Sequence, residues 1–248
     1  MTSLEIIREI DDGAINYLRF FGDAEHMRTL DNGVYTIVEP KESEEGIRFV
    51  YDIRLENLSD AEARARIREI RALKLAIWWP LRPLCSPRIA RLIARGEGAS
   101  ESSEHYMAVL PEDFVGKAQA GVALRRADDA EAFKRWALLG NRVFADGHQD
   151  VHPVKHFPWV KDGRLIPYVA YIGGEPAGIA AILRHHDAAS LEFVAVPEAY
   201  RRQGVASALS AHAVSDAFAG GAKLVTTRAF PPACLIYQAL GFQSYLRG

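Results

Sequence analysis

LEFVAVPEAYRRQGVA, residues Leu191 to Ala206, is the stretch on which the reading of this chain turns. An almost wholly apolar strand runs into a short basic loop containing a glycine, and that loop opens a helix. Backbone N–H groups at a helix N-terminus have no intrahelical partners, and the aligned peptide dipoles leave partial positive charge there. An anion such as a pyrophosphate is a natural ligand for such an end. Gly204 removes the Cβ that would hold phosphate oxygens away from the amides, and Arg201 and Arg202 add full charge beside them. Taken by itself, Arg-x-x-Gly-x-Ala also describes a solvated basic turn before an ordinary helix.

Downstream, Val205, Leu209, Ala213 and Ala217 give one helix face through Ala219, and Gly220-Gly221 supply a stop. Lys223 to Ala229 reads as a strand, Pro232 to Leu240 as a helix opened by proline, and Phe242 to Leu246 as a short final strand. Upstream, Leu165 to Ile172 and Ala177 to Arg184 are strands joined by the turn Gly173-Gly174-Glu175-Pro176. Near Gly121 a strand leads into a helix carrying Phe133, Trp136, Leu139 and Phe144, after which Pro153 and Pro158 break the chain into short pieces.

The segment AFPPACLIYQALGF, residues 229–242, follows the basic loop at a remove that leaves room for one strand and one helix. Together, Val194-Ala195-Val196-Pro197, Arg201-Arg202-Gln203-Gly204-Val205-Ala206, Ala233 with Tyr237, and Leu240-Gly241-Phe242 closely resemble the GNAT superfamily of acyl-CoA-dependent N-acyltransferases, over roughly residues 121 to 246. The resemblance implies an α/β (α+β) fold: a mixed, mostly antiparallel sheet in which two parallel strands, Leu191 to Val196 and Lys223 to Ala229, splay apart. Acetyl-CoA would be the co-substrate, its pantetheine arm pairing with the backbone at Val194, Ala195 and Val196. Its pyrophosphate would lie along Arg201, Arg202, Gln203, Gly204, Val205, Ala206 and Ser207. Tyr237 matches a tyrosine that in many members lies near the cofactor sulfur and protonates the departing thiolate. A phenol, with a reference pKa of about 10 against about 8.5 for a thiol, stays protonated at neutral pH and can do this; the plain alternative is a tyrosine packing its ring in a helix interface. The attacking amine must lose a proton, and Glu192 is the one acid in its apolar strand. Alternation puts its side chain on the face of Val194 and Val196, where partial burial would raise its pKa toward a useful range. It could instead face solvent at the strand start, serve as a structural partner for an arginine, or give way to a water relay. Oxyanion stabilisation would come from a strand amide near Val194 or Ala195.

Two departures stand out. Phe230 occupies a place commonly held by asparagine, and the family's last strand has no counterpart before Gly248. The N-terminal lobe or a second subunit, as in a homodimer, would have to cover the edge so exposed.

The first half reads as a separate α/β lobe without a phosphate loop, compatible with a degenerate copy of the same fold, which divides the chain into residues 1–118 and a catalytic 119–248. Leu4, Ile7, Ile10, Ala14 and Leu18 mark an opening helix. Gly33 to Val38 and Ile47 to Leu55 are strands, and Ser59 with Glu62 is a capping box for a helix to Leu75. A strand through Ile77, Trp78 and Trp79, a helix from Pro87 to Arg95, a loop from Gly96 to Glu104 and a strand from His105 to Leu110 follow. Of the adjacent tryptophans, one ring is expected in the core and the other at an interface.

A formal charge of -2 argues against nucleic acid or an anionic membrane as partner. With no apolar run of about 18 residues and an acidic, amphipathic start, a cytoplasmic location is expected. Cys85 and Cys234 match no ligand spacing, and His148, His152 and His156 are interrupted by Pro153, so no metal site is expected. His185, His186, Asp187 and the segment His148 to Trp159 are expected to line the acceptor's end of the site. The function that follows is transfer of an acetyl group to a primary amine of a small molecule by direct attack. A lysine or N-terminus of a protein is the near alternative, and acyl-CoA binding without turnover the distant one.

Overall fold

The computed structural model describes residues 1–24, 26–42, 48–94, 104–116, 121–144 and 151–247. Two sheets carry the fold. The smaller has the order β1-β2-β3-β4, from Met27–Asp31, Thr36–Pro40, Phe49–Tyr51 and Ala76–Ile77. Helices α2 (Asp60–Ala72) and α3 (Pro87–Ala94) accompany it, with Ile67, Ile70, Ile89 and Leu92 joining Tyr35, Val50 and Leu55 in one buried cluster. Ser59 caps α2 through the reciprocal Ser59–Glu62 box that the sequence announces. Strand β1 has no counterpart in the sequence reading, because four of its five residues are exposed and no alternation marks it. The tryptophan strand is shorter than expected: β4 ends at Ile77, ahead of both rings.

The larger sheet has seven strands in the order β11-β5-β10-β9-β8-β7-β6. These are β5 (His105–Val109), β6 (Ala123–Arg126), β7 (Leu165–Ile172), β8 (Glu175–His185), β9 (Ala188–Ala195), β10 (Leu224–Ala229) and β11 (Gln243–Arg247). Every neighbouring pair is antiparallel except β9 with β10. The mixed sheet inferred from the motifs is therefore the one observed. Its missing strand is supplied from the N-terminal half: β5 lies between β10 and β11, bonded to both. That edge accordingly gives no reason to expect a second subunit. The proposed boundary at 118/119 falls outside the described residues.

Helix α1 (Ser3–Gly22) lies against the same sheet, packed on β8, β9 and β10. A Cβ at Gly13 would come within 3.0 Å of Thr226 Oγ1 and 3.1 Å of the His185 ring, so the helix sits as close as it does because that residue has no side chain. Tyr17, Phe20 and Phe21 of α1 share a core with Val38 and Phe49 from the small sheet and with Trp136 of α4 (Ala130–Val143) and Phe193. The opposite face of the large sheet is covered by α6 (Val205–Ala219) and α7 (Pro231–Gln238), through Leu209, Val214, Cys234 and Tyr237. A short helix, α5 (Phe157–Lys161), completes the described elements.

Candidate active site

Strands β9 and β10 pair only at Ala188, Ala189 and Ser190 against Leu224, Val225 and Thr226. Beyond that register they run on to Ala195 and Ala229 without a ladder between them, which is the splay expected of the two parallel strands.

The opening coincides with a bulge. Ala181 pairs with Glu192 and Ile179 with Ala195, so two steps along β8 face three along β9, and Phe193 adopts a left-handed φ of 57°. That conformation is costly for a bulky residue, and it persists because the ring is embedded between Tyr17 at 5.4 Å, Phe20 at 5.5 Å and Trp136 at 5.2 Å. The bulge overturns the alternation argument for Glu192. Val194 and Val196 pack toward α6 and α7, whereas Glu192, like Phe193, is turned toward the α1 side, where it meets Arg228.

At the end of β9 the loop makes a short turn at Glu198–Tyr200 and enters α6 through two left-handed residues, Arg202 at φ 63° and Gly204 at φ 78°. Gly204 is the N-cap, and no side chain caps the helix. The first amides of a 15-residue helix therefore face outward without a side-chain acceptor. Arg201, Arg202 and Gln203 are exposed, Gly204, Ala206 and Ser207 half-buried, and Val205 buried. Two of these side chains brace the loop itself: Arg201 Nε donates to Val196 O at 3.1 Å and Gln203 Nε2 to Ala199 O at 3.0 Å. Gly178 of β8, unremarked in the sequence, lets the loop and helix sit against the sheet. A Cβ there would meet Val205 Cγ1 at 2.8 Å and Ala195 O at 3.0 Å.

Tyr237 is buried on α7, its ring 5.6 Å from Phe242. Burial pushes its phenol well above the ordinary tyrosine range and the Glu192 carboxylate adds to this, while the nearby Thr227 and Ser210 hydroxyls work the other way. Protonated at any physiological pH, it is a donor. Burial likewise raises the Glu192 carboxyl, against the pull of Arg228, whose Nη2 lies 3.4 Å from Oε2. The structural role weighed for Glu192, partner of an arginine, is thus realised alongside its position in the opening.

Arg228 was not singled out by the sequence, and neither was what holds it. Its guanidinium sits over the rings of Tyr17 at 4.7 Å and Trp78 at 5.2 Å. The Trp78 indole donates to Asp11 Oδ1 at 3.1 Å, and burial carries the Asp11 carboxyl up to about 6. Trp79 instead faces Arg71 of the small lobe at 5.6 Å; both rings are half-buried, Trp78 packing against the α1 clusters and Trp79 against that of the small sheet, so neither is the fully buried core ring expected.

Other expected wall residues lie elsewhere. His186 and Asp187 form the turn between β8 and β9, at the paired end of the parallel strands and far along the sheet from the opening. Asp187 there bonds Lys223 at 2.6 Å, and His185 faces Glu9. His156 is buried against Phe20 at 4.5 Å and so forms core, not acceptor wall; His148 lies outside the described residues. Phe230 is the N-cap of α7 and more than half exposed. Both cysteines are free thiols. Among the described residues, Glu9, Asp12 and His186 bring three possible ligand atoms within 4.8 Å of one another, again at the paired end of the strands. No described helix is long and apolar enough to cross a membrane.

Residues 129–242 match the family model described as acetyltransferase (GNAT) family, which bears out the resemblance drawn from the motifs. No curated protein sequence matches the chain. Similar solved structures include a GCN5-related N-acetyltransferase from Kribbella flavida, 18% identical, covering 94% of this chain and 91% of that one with a TM-score of 0.61. A second GCN5-related N-acetyltransferase, from Sphaerobacter thermophilus, is 15% identical over 87% of this chain and 79% of its own, at 0.58. A tandem GNAT protein from the clavulanic acid biosynthesis pathway is 14% identical over 95% and 92%, at 0.57. At these identities the likeness is one of fold, and with the first and third it runs through both lobes.

Proposed function

Proceeding from residues 129–242 as a domain of the acetyltransferase (GNAT) family, we propose that this chain transfers the acetyl group of acetyl-CoA to a primary amine of a small molecule by direct attack. The observation that carries the proposal is the pairing of an opening between β9 and β10 with a long helix whose first amides have no side-chain cap. An anion is the ligand that such an end favours, and exposed Arg202 adds charge beside it. The half-buried apolar side chains of Val194 and Val196 suit a strand whose ligand pairs with backbone, not side chain. Acetyl-CoA supplies an acetyl thioester when bound.

The protein's own groups divide the proton work. Glu192, its affinity for protons raised by burial, accepts a proton from the attacking nitrogen. Tyr237, held protonated, donates one to the departing sulfur as the carbon–sulfur bond breaks. A small acceptor is favoured over a peptide because α1 lies across β8, β9 and β10 on the Glu192 side, with Tyr17 and Trp78 walling that face; an extended chain needs an open trough. The second reading, acyl-CoA binding without turnover, makes no use of a buried acid and a protonated phenol near enough for the acid's charge to act on the phenol.

The test is release of free CoA thiol from acetyl-CoA across a panel of small amines and lysine peptides, with Tyr237→Phe as control. Release with a small amine, lost in the variant, is the expected result. Binding of CoA without release in any arm would favour the second reading, and release confined to peptides would exclude a small acceptor.

A further inference from the structure

Two consecutive threonines of β10 reach across to β9 with their side chains. Thr226 Oγ1 donates to Ala189 O at 3.4 Å and Thr227 Oγ1 to Leu191 O at 3.0 Å, and each residue is only 2% exposed. Their settings differ. The parallel ladder pairs Ala189 with Val225 and Ser190 with Thr226, so the backbone already holds the strands where the first hydroxyl acts. Leu191 and Thr227 stand one step beyond its last pair. At the ladder's start, Asp187 O accepts the backbone N–H of Lys223 at 2.7 Å. Thr227 stands to Leu191 as Lys223 does to Asp187, 36 residues on, so an unbroken ladder would offer Leu191 O the backbone N–H of Thr227. The bond observed comes from its hydroxyl instead. A hydroxyl carried on Cβ serves a carbonyl that the backbone no longer reaches, and a buried carbonyl left without a donor is costly.

We propose that Thr227 is a positioning residue for the co-substrate: its hydroxyl takes the place of the next rung and holds β9 and β10 at the separation at which the pantetheine arm enters. The bond satisfies Leu191 O and so removes the incentive for the strands to zip further. Without that donor, Leu191 O recruits the backbone N–H of residue 227, the ladder gains a rung and the slot narrows. The inference rests on the reading that acetyl-CoA lies in this opening. Because the same hydroxyl lies near the Tyr237 phenol, its test reads binding and strand separation, not turnover.

Thr227→Val keeps the shape and removes the donor. Its affinity for CoA by calorimetry should fall about tenfold, and in the free protein the cross-strand NOEs between the backbones of residues 191 and 227 should strengthen. Thr227→Ser, which restores the hydroxyl, should return the NOEs and bring affinity to within about twofold of wild type. Thr226→Val removes an equally buried hydroxyl from inside the ladder; it should lower stability and leave CoA affinity within about twofold. Thr227→Ala lacks the same donor and serves if the valine variant does not fold. Unchanged CoA affinity in Thr227→Val, an equal loss in Thr226→Val, or no return in Thr227→Ser overturns the proposal. Wild-type protein that binds no CoA would remove the acetyl-CoA reading, and the free-protein NOEs would still decide the role of the hydroxyl: NOEs that do not respond to its loss overturn it.

Discussion

The opening between β9 and β10 has two walls of different origin. On the α6 and α7 side the wall belongs wholly to the C-terminal half and works through backbone: uncapped amides at the start of α6, a strand edge flanked by valines, and one buried phenol. On the α1 side the wall is assembled from residues as far apart as Asp11, Tyr17, Trp78, Glu192 and Arg228, and it works through side chains that hold one another. A backbone-built wall tolerates drift in side-chain identity provided the chain can adopt the conformation. A wall of interlocked side chains is sensitive at each position but leaves no fixed spacing in the sequence.

The contrast can be broken most directly at Tyr237. Tyr237→Phe removes a hydroxyl and little volume, so CoA affinity should stay near wild type while kcat for thiol release falls about a hundredfold; an unchanged kcat would strip the α7 wall of its chemical role.

The α1 wall can be probed through pH. Burial lowers His156, which packs behind Phe20, from 6.5 to about 4. A depressed folded pKa means that the unfolded chain binds more protons, so the contribution is whole above about pH 6.5 and is lost as pH falls through about 4. The loss is on the order of 3 kcal/mol. Chemical denaturation between pH 4 and 7 should show a steeper decline for wild type than for His156→Phe, and parallel curves would remove His156 as its source.

Smaller in expected effect is Gly178→Val, whose side chain would collide with Val205 and the Ala195 carbonyl. Overpacking of this kind costs about 1–3 kcal/mol. Because the collision displaces the start of α6, CoA affinity by calorimetry should fall along with stability, whereas a loss of stability alone would separate the loop from the sheet beneath it.

The smallest effect is expected at Arg202→Ala, which removes an exposed charge and should weaken CoA binding by a few-fold at low salt and less at high salt. A hundredfold loss there would mean that the side chain, and not the backbone, holds the anion.

Much of the C-terminal wall was legible because its determinants are local. A strand, a loop with Arg202 and Gly204, and a helix follow one another without interruption, and an orphan amide needs only the residues beside it to exist. The helix start is read from the residues themselves, and the splay and the place of Tyr237 from the family resemblance that the linked motifs carry. Alternation misled at Glu192 because it assumes an unbroken two-residue period. Phe193 sits in a left-handed bulge that no local residue requires; the aromatic cluster of α1 and α4 stabilises it, and a one-residue slip exchanges faces. The His186–Asp187 turn was assigned to the acceptor's end because histidines suit such a wall, but the direction of the parallel pair puts that turn at the closed end.

The sequence by itself determined the order of strands and helices and an anion-ready helix start, since each depends on residues along contiguous chain, while the mixed sheet, the parallel pair that opens and the place of Tyr237 came from the family resemblance that its motifs carry. Only the tertiary structure decided that β5 completes the sheet, that α1 packs across β8, β9 and β10, and that Trp78 carries Arg228 over its ring while its indole bonds Asp11. Those are contacts between segments tens of residues or more apart, selected by shape and by the need to pair buried charge, and neither requirement leaves a periodic trace in the sequence.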